Sequence, residues 1–367
     1  MVGVDWNKVQ IERQQFMVYN KKTIDPLVKS EIDAFKNNGI DLVISSFNPT
    51  CSISTQVLKI PLITLTSGST SSVYYRSGFA TFPENYENIV TRILPLKLKN
   101  YIARWMLLNN KYLVKDFNKV AKKYNVKTFR TLNEILEGDH ALLCDDINLF
   151  GIKPTERFPK KNFIGPVSLE LSNNKKVAFD KDVKKHLKRP GKNILFTLGS
   201  APPYIESPVF KIFKKILKGF NQTDYNVIVI CGKIPIDKLP KTNENILIKK
   251  YIKSLHILYK KIDLAIIHGG RGTVYNLVYS GTPLIGIPFF IEQQYNIDCL
   301  VRNKAGLKIS GKYFNPEKLL KAINTIFENY EFYKKNVKKL SKKLSSYTNE
   351  KKAVDRIIEI INKEVKK

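Results

Sequence analysis

Residues 264–293 read LAIIHGGRGTVYNLVYSGTPLIGIPFFIEQ, and this run decides the fold. LAII is a short β-branched and aliphatic run, the pattern of a strand covered on both faces in a parallel sheet. Gly269, Gly270 and Gly272 follow it and let backbone amides approach a ligand with no Cβ in the way. A helix opening at Thr273 would turn its unpaired N–H groups and the positive end of its dipole toward the same point, which suits an anion such as a diphosphate. Gly281 and Pro283 end that helix, LIGIP supplies another short buried strand, and Pro288 leads into the acid–amide pair Glu292-Gln293. A carboxylate beside an amide accepts and donates several hydrogen bonds at once, which is the chemistry a polyol demands.

Working outward, NILFTLGS at 193–200 reads as a buried strand ending in Gly199-Ser200, and VIVICGK at 227–233 as the next strand. In the N-terminal half, a helix over 22–37 precedes the strand DLVISSF at 41–47, and the helical ISTQVLKI precedes the strand PLITLTS at 61–67. Buried strand, helix and buried strand in alternation mark a doubly wound α/β sheet. From Arg92 to Lys123 the pattern turns helical and basic, with Tyr101, Trp105 and Tyr112 among apolar residues. A packed amphipathic helix is the default reading of that stretch, and an interfacial helix touching a membrane is the other. SSYTNEKKAVDRIIEIINKEV, near the C-terminus, has helical spacing and is expected to pack back on one of the domains.

Composition bounds the answer. The 367 residues are 43% hydrophobic, enough for two globular cores. Cys51, Cys144, Cys231 and Cys299 are scattered, with no CxxC pair or Cys/His cluster, so neither a zinc site nor a disulfide framework is indicated. No apolar span is long enough to cross a bilayer and the opening residues do not read as a secretory signal, so a cytoplasmic protein is expected, with at most a peripheral contact at the inner face of the membrane. The net charge of +30 is dominated by lysines spread along the chain. Nucleic-acid recognition would favour arginine and aromatics interleaved on one surface, and that pattern is missing; a lysine-rich background composition explains the charge most simply.

The run from His268 to Gln293 resembles the donor-binding signature of the UDP-glycosyltransferase family, seen in its plant, macrolide-modifying and sterol-modifying members. The resemblance implies that His268, Gly270, Gly272 and Thr273 hold a donor diphosphate, with Ser200 touching it from the other side. It implies that Glu292 and Gln293 read sugar hydroxyls. Asn276 stands where many members place a ribose-binding glutamate, and its amide lacks charge assistance for that contact. ILIKKYIKSLHIL is similar to the segment that stacks the donor base, which assigns Tyr251 and Ile252 to the nucleoside; Lys253 and Ser254 replace the usual proline and glutamine.

The fold implied is α/β with two Rossmann-like domains facing a cleft, the GT-B arrangement, the N-terminal one incomplete. Residues 1–166 form the acceptor-side domain, 167–192 a linker, 193–345 the nucleotide-sugar domain and 346–367 a C-terminal helix. The activity implied is inverting transfer of a hexose from a nucleotide-diphosphate sugar, a UDP-sugar, to an acceptor hydroxyl on a lipid, glycan or small molecule. The donor is a co-substrate, and no further cofactor or metal is implied: Asp145 and Asp146 are adjacent rather than spaced Asp-x-Asp, and read as a solvated turn.

No catalytic residue is assigned. The 40 residues before Asp41 hold no histidine, and Ser46 stands where members place the aspartate that orients one. A partner-dependent sugar-nucleotide-binding protein and a sugar-nucleotide epimerase therefore stay open. The spaced-glycine dinucleotide fingerprint is absent, which lowers an oxidoreductase reading.

Overall fold

Strands such as NVIVI (Asn226–Ile230), apolar after its first residue, and LAII (Leu264–Ile267) are aliphatic because both of their faces are covered, and each is buried along its whole length. A computed structural model describes residues 19–166, 180–199, 207–253, 255–345 and 350–365. Among these, nine strands form two all-parallel sheets. The chain divides into two compact units, one of residues 1–82, 88–167 and 347–367, the other of 83–87 and 168–346.

The first unit holds β1 (Val43–Ser45), β2 (Leu62–Thr66) and β3 (His140–Leu143) in the order β1-β2-β3. Helix Lys21–Asn37 starts at a capping box in which Asn20 and Thr23 satisfy each other's backbone N–H. Its Ile24 and Val28 bury against Ile53, Phe117 and Val120. The C-terminal helix Glu350–Glu364 belongs to this unit: Ala353 and Ile360 pack on Ile63, Leu142, Cys144 and Ile164. Arg356 donates to Asn162 Oδ1 at 3.0 Å, and His140 pairs with Glu364 at 3.2 Å.

One expectation for this unit is overturned and another holds only in part. Asp145 and Asp146 are not a solvated turn, being only 1% and 2% exposed. Asp145 follows β3 and takes the Gly68 N–H at 2.5 Å and the Ser67 hydroxyl at 3.1 Å, while Asp146 caps the short helix Ile147–Phe150. The basic stretch from Arg92 to Lys123 is a packed amphipathic helix only in its last part, Lys115–Lys123, where Phe117, Val120 and Ala121 are buried. Ahead of that part, Pro95 separates Ile89–Ile93 from Leu96–Asn109, and in the second of these Ala103 is the one buried residue.

The second unit holds β4 (Asn193–Thr197), β5 (Asn226–Ile230), β6 (Ile246–Lys249), β7 (Leu264–Ile267), β8 (Leu284–Gly286) and β9 (Gly306–Lys308), ordered β6-β5-β4-β7-β8-β9. Helix Pro208–Phe220, capped by Ser207 with proline at its first turn, buries Phe213 against Phe196 at 4.7 Å between ring centroids. Ile216, Val227, Ile266, Ile285 and Ile323 complete this core. Each such enclosed side chain contributes about 1.5–3 kcal/mol relative to exposure. Among the described residues no helix is long and apolar enough to cross a membrane.

Candidate functional site

The strand order of the second unit reverses between β4 and β7, and in open α/β sheets the crevice at the carboxyl ends of such strands is where ligands bind. Gly199 follows β4 and His268-Gly269-Gly270 follows β7. A Cβ on Gly199, whose φ is +88°, would lie 2.5 Å from His268 Cε1; one on Gly270 would lie 2.6 Å from Nε2. The imidazole is thus held between two glycine backbones. No bulkier residue fits at either place without moving it.

Burial pushes the His268 imidazole down to about 4, so the ring is neutral near pH 7. Its Nδ1 is buried and has no hydrogen-bond partner, although the residue keeps a partly exposed edge. A neutral imidazole offers one N–H to an oxyanion without first bringing a charge into a desolvated place. Helix Arg271–Ser280 starts beside it with Gly270 as N-cap and no side chain on its first amides. It opens at Arg271, not at Thr273, which occupies its third position. Gly272 is exposed, with nothing within 4 Å of where a Cβ would stand.

The acid–amide pair lies against this same tip. A Cβ on Gly269, at φ +96°, would meet the Gln293 carbonyl oxygen at 2.7 Å and Ile297 Cγ1 at 2.8 Å. Asn296 Nδ2 donates to the Gly269 carbonyl at 3.0 Å and its side chain also hydrogen-bonds Glu292. Glu292 and Gln293 sit in the first turn of helix Ile291–Arg302. Burial raises the Glu292 carboxyl, and the nearby Arg271 guanidinium and Asn296 partly oppose it. Gln293 Oε1 accepts from Phe289 N at 2.9 Å, which commits the oxygen end of the amide to the loop and leaves its NH2 as the end suited to a ligand.

A match to the glycosyltransferase family 28 C-terminal domain covers residues 194–357. Human UDP-glucuronosyltransferase 2B17 is 22% identical over 360 residues, covering 92% of this chain and 62% of that protein. The UDP-N-acetylglucosamine–N-acetylmuramyl-(pentapeptide) pyrophosphoryl-undecaprenol N-acetylglucosamine transferase of Aquifex aeolicus is 28% identical over 190 residues, half of this chain and 53% of that one. The calicheamicin glycosyltransferase CalG4 superposes with a TM-score of 0.65 at 16% identity, covering 98% of this chain and 85% of that structure. The chain is thus similar to UDP-glycosyltransferases in sequence and to glycosyltransferases of the GT-B type in fold. It spans about three fifths of the length of the first curated relatives it matches.

The residues assigned to the nucleoside are placed less uniformly than those at the β7 tip. Tyr251 follows β6 and is 66% exposed, whereas Ile252 is buried and presents no side chain to a ligand. Asn276 is buried within helix Arg271–Ser280, its carbonyl accepting from Ser280 Oγ at 2.8 Å. Ser200 lies outside the described residues, as does the first half of the expected linker, 167–179.

Two residues went unassigned in the sequence reading. Arg271 is the cation inside the HGGRGT run, and that was its signal: a guanidinium at the first turn of an anion-facing helix. Asn296 had only its spacing to show it, four residues beyond Glu292 on one helix face. Among the described residues no group of three or more His, Cys, Asp or Glu side chains is placed to hold a metal ion.

Proposed function

We propose that this protein transfers a hexose from a nucleoside-diphosphate sugar, a UDP-sugar, to an acceptor hydroxyl with inversion at the anomeric carbon. The observation that carries the reading is the juxtaposition at the β4/β7 crossing: a neutral, enclosed His268, an uncapped helix start, and the Glu292-Gln293 pair packed on the same glycine turn. The diphosphate would lie over the amides of Gly270, Gly272 and Thr273, with His268 donating to it and Arg271 supplying positive charge. The sugar hydroxyls would meet Glu292 and Gln293.

Tyr251, three strand spacings or roughly 14 Å from β7, suits the far end of an extended nucleoside diphosphate. In the transfer itself, the bond from the anomeric carbon to the diphosphate oxygen breaks as the acceptor oxygen bonds from the opposite face. The hydroxyl proton passes to a base that is not assigned. Preorganised donors facing the departing oxyanion are the term that usually dominates such catalysis.

The relatives' names support a UDP-linked donor, since the human and Aquifex proteins are named for UDP-sugar chemistry. The test is calorimetric titration of UDP into the parent chain and His268→Ala, followed by release of UDP from UDP-hexoses with alcohol acceptors. Loss of a charge-assisted contact should weaken UDP binding about tenfold or more. Equal affinity in the two proteins would remove His268 from the site. Retained anomeric configuration in the product would remove inversion.

A further inference from the structure

The turn that carries Glu292 and Gln293 is held by residues some two hundred positions away in the chain. Residues 83–87, PENYE, are flanked on both sides in the sequence by the first unit and yet belong to the second. Their middle makes one turn of 3-10 helix, Glu84–Tyr86. The Glu84 N–H donates to Gln294 Oε1 at 2.9 Å, and Asn85 Nδ2 donates to the Phe289 carbonyl. Lys308 pairs with the Glu84 carboxylate at 3.2 Å, and Lys312 Nζ donates to the carbonyls of Asn85, at 3.5 Å, and Glu87.

What these contacts hold is the loop from Pro288 to Gln294. Phe289 donates its N–H to Gln293 Oε1 at 2.9 Å and accepts from Asn85 at its carbonyl, so it is tied on both sides of one φ/ψ pair. On the β9 side, a Cβ on Gly311 would stand 2.4 Å from the Pro288 carbonyl oxygen and 2.9 Å from Phe289 Cδ1, which closes the loop in from there as well. The direction of the Gln293 amide therefore depends on Phe289, and that of Phe289 on Asn85.

We propose that Asn85 is a positioning residue for donor-sugar recognition, acting through Phe289 to aim the Gln293 NH2, with Glu84 anchoring the segment on which Asn85 stands. The proposal rests on the assignment of Glu292 and Gln293 to the sugar. A glutamine side chain left free gives up several rotamers when it binds a ligand. Holding it in its binding geometry beforehand removes that ordering cost from sugar recognition and leaves the diphosphate contacts at the β7 tip as they are.

The experiment titrates UDP, UDP-glucose, UDP-galactose and UDP-N-acetylglucosamine calorimetrically into the full-length parent, Asn85→Ala, Gln293→Ala and the double variant. Asn85→Ala should keep the parental UDP affinity and lose about tenfold in affinity for the UDP-sugar that the parent binds best. In the Gln293→Ala background the same change should cost less than about twofold, because the group it positions is gone. Asn85→Asp keeps the shape of the side chain and removes its N–H donors, and it repeats the test should the alanine variant lose cooperative melting.

Unchanged UDP-sugar affinity in Asn85→Ala would overturn the proposal. So would an equal loss for UDP and the UDP-sugars, which marks a general structural role, or losses that simply add in the double variant. None of these touches the assignment of Gln293. Gln293→Ala that binds every UDP-sugar as the parent does would instead remove the pair from the sugar site, and this inference with it.

Discussion

At the residue scale, the candidate site is a matter of what glycine permits. Gly199 is at φ +88° and leaves no room for a Cβ beside the His268 ring. Gly199→Ala should therefore strain the backbone by about 1–3 kcal/mol and displace the imidazole. UDP affinity measured by calorimetry should fall about tenfold with it; an unchanged affinity would mean that the ring position does not matter to binding.

His268 also leaves a mark on stability. Its folded-state value of about 4 lies below the 6.5 of an unperturbed histidine. Between these values the unfolded chain binds a proton that the folded chain refuses, so this residue makes folding less favourable as pH falls through that window and contributes no slope above it. His268→Gln should lose less stability than the parent in urea titrations at about pH 7 and about pH 5. Equal losses would show that the imidazole is solvated.

At the element scale, the edge of the second sheet is tied to the helix that carries Glu292 and Gln293. Lys308, at the end of β9, reaches Asp298 on that helix at 2.6 Å and Glu84 at 3.2 Å. Burial alone would push the ammonium down, but the Asp298 and Glu84 carboxylates outweigh it and hold the group above the ordinary lysine value. Glu84 belongs to the short segment 83–87, whose backbone N–H also donates to Gln294 Oε1 at 2.9 Å. Lys308→Met leaves two carboxylates without their cation, and should cost about 3 kcal/mol in chemical denaturation. A loss under about 1 kcal/mol would mark the cluster as an ordinary surface ion pair.

The same scale shows which elements the sequence made legible. β4, β5, β7 and β8 announce themselves because covered strands are apolar throughout, and the Gly281 stop at φ +63° ends its helix where the residue type says it should. β6 and β9 are short edge strands whose residues are mostly half-buried, so their identity comes from a pairing partner and not from a pattern. Helix Leu96–Asn109 misleads for the opposite reason: apolar spacing reads the same whether another element covers it or nothing does.

At the scale of the whole molecule, the charge of +30 acts as a field rather than as a site. Added salt should screen the self-repulsion, and the melting temperature should rise over the first few hundred millimolar while association with UDP slows, since the Debye length shrinks from about 10 Å at 0.1 M to about 3 Å at 1 M. A melting temperature independent of salt would show that the lysines are too far apart to repel one another.

The sequence by itself determined the local pieces: covered strands, a glycine turn that admits an anion, and an acid–amide pair one strand further on. These follow from side-chain volume, backbone freedom and hydrogen-bonding capacity, which each residue carries with it. Only the tertiary structure decided that Gly199 closes on His268 and Gln293 on Gly269, that Asp145 is enclosed, and that the C-terminal helix packs on β2 and β3. Those meetings depend on which strands pair with which. A parallel strand takes its neighbour from across long stretches of chain, so its own residues say how it is covered but not what stands beside it.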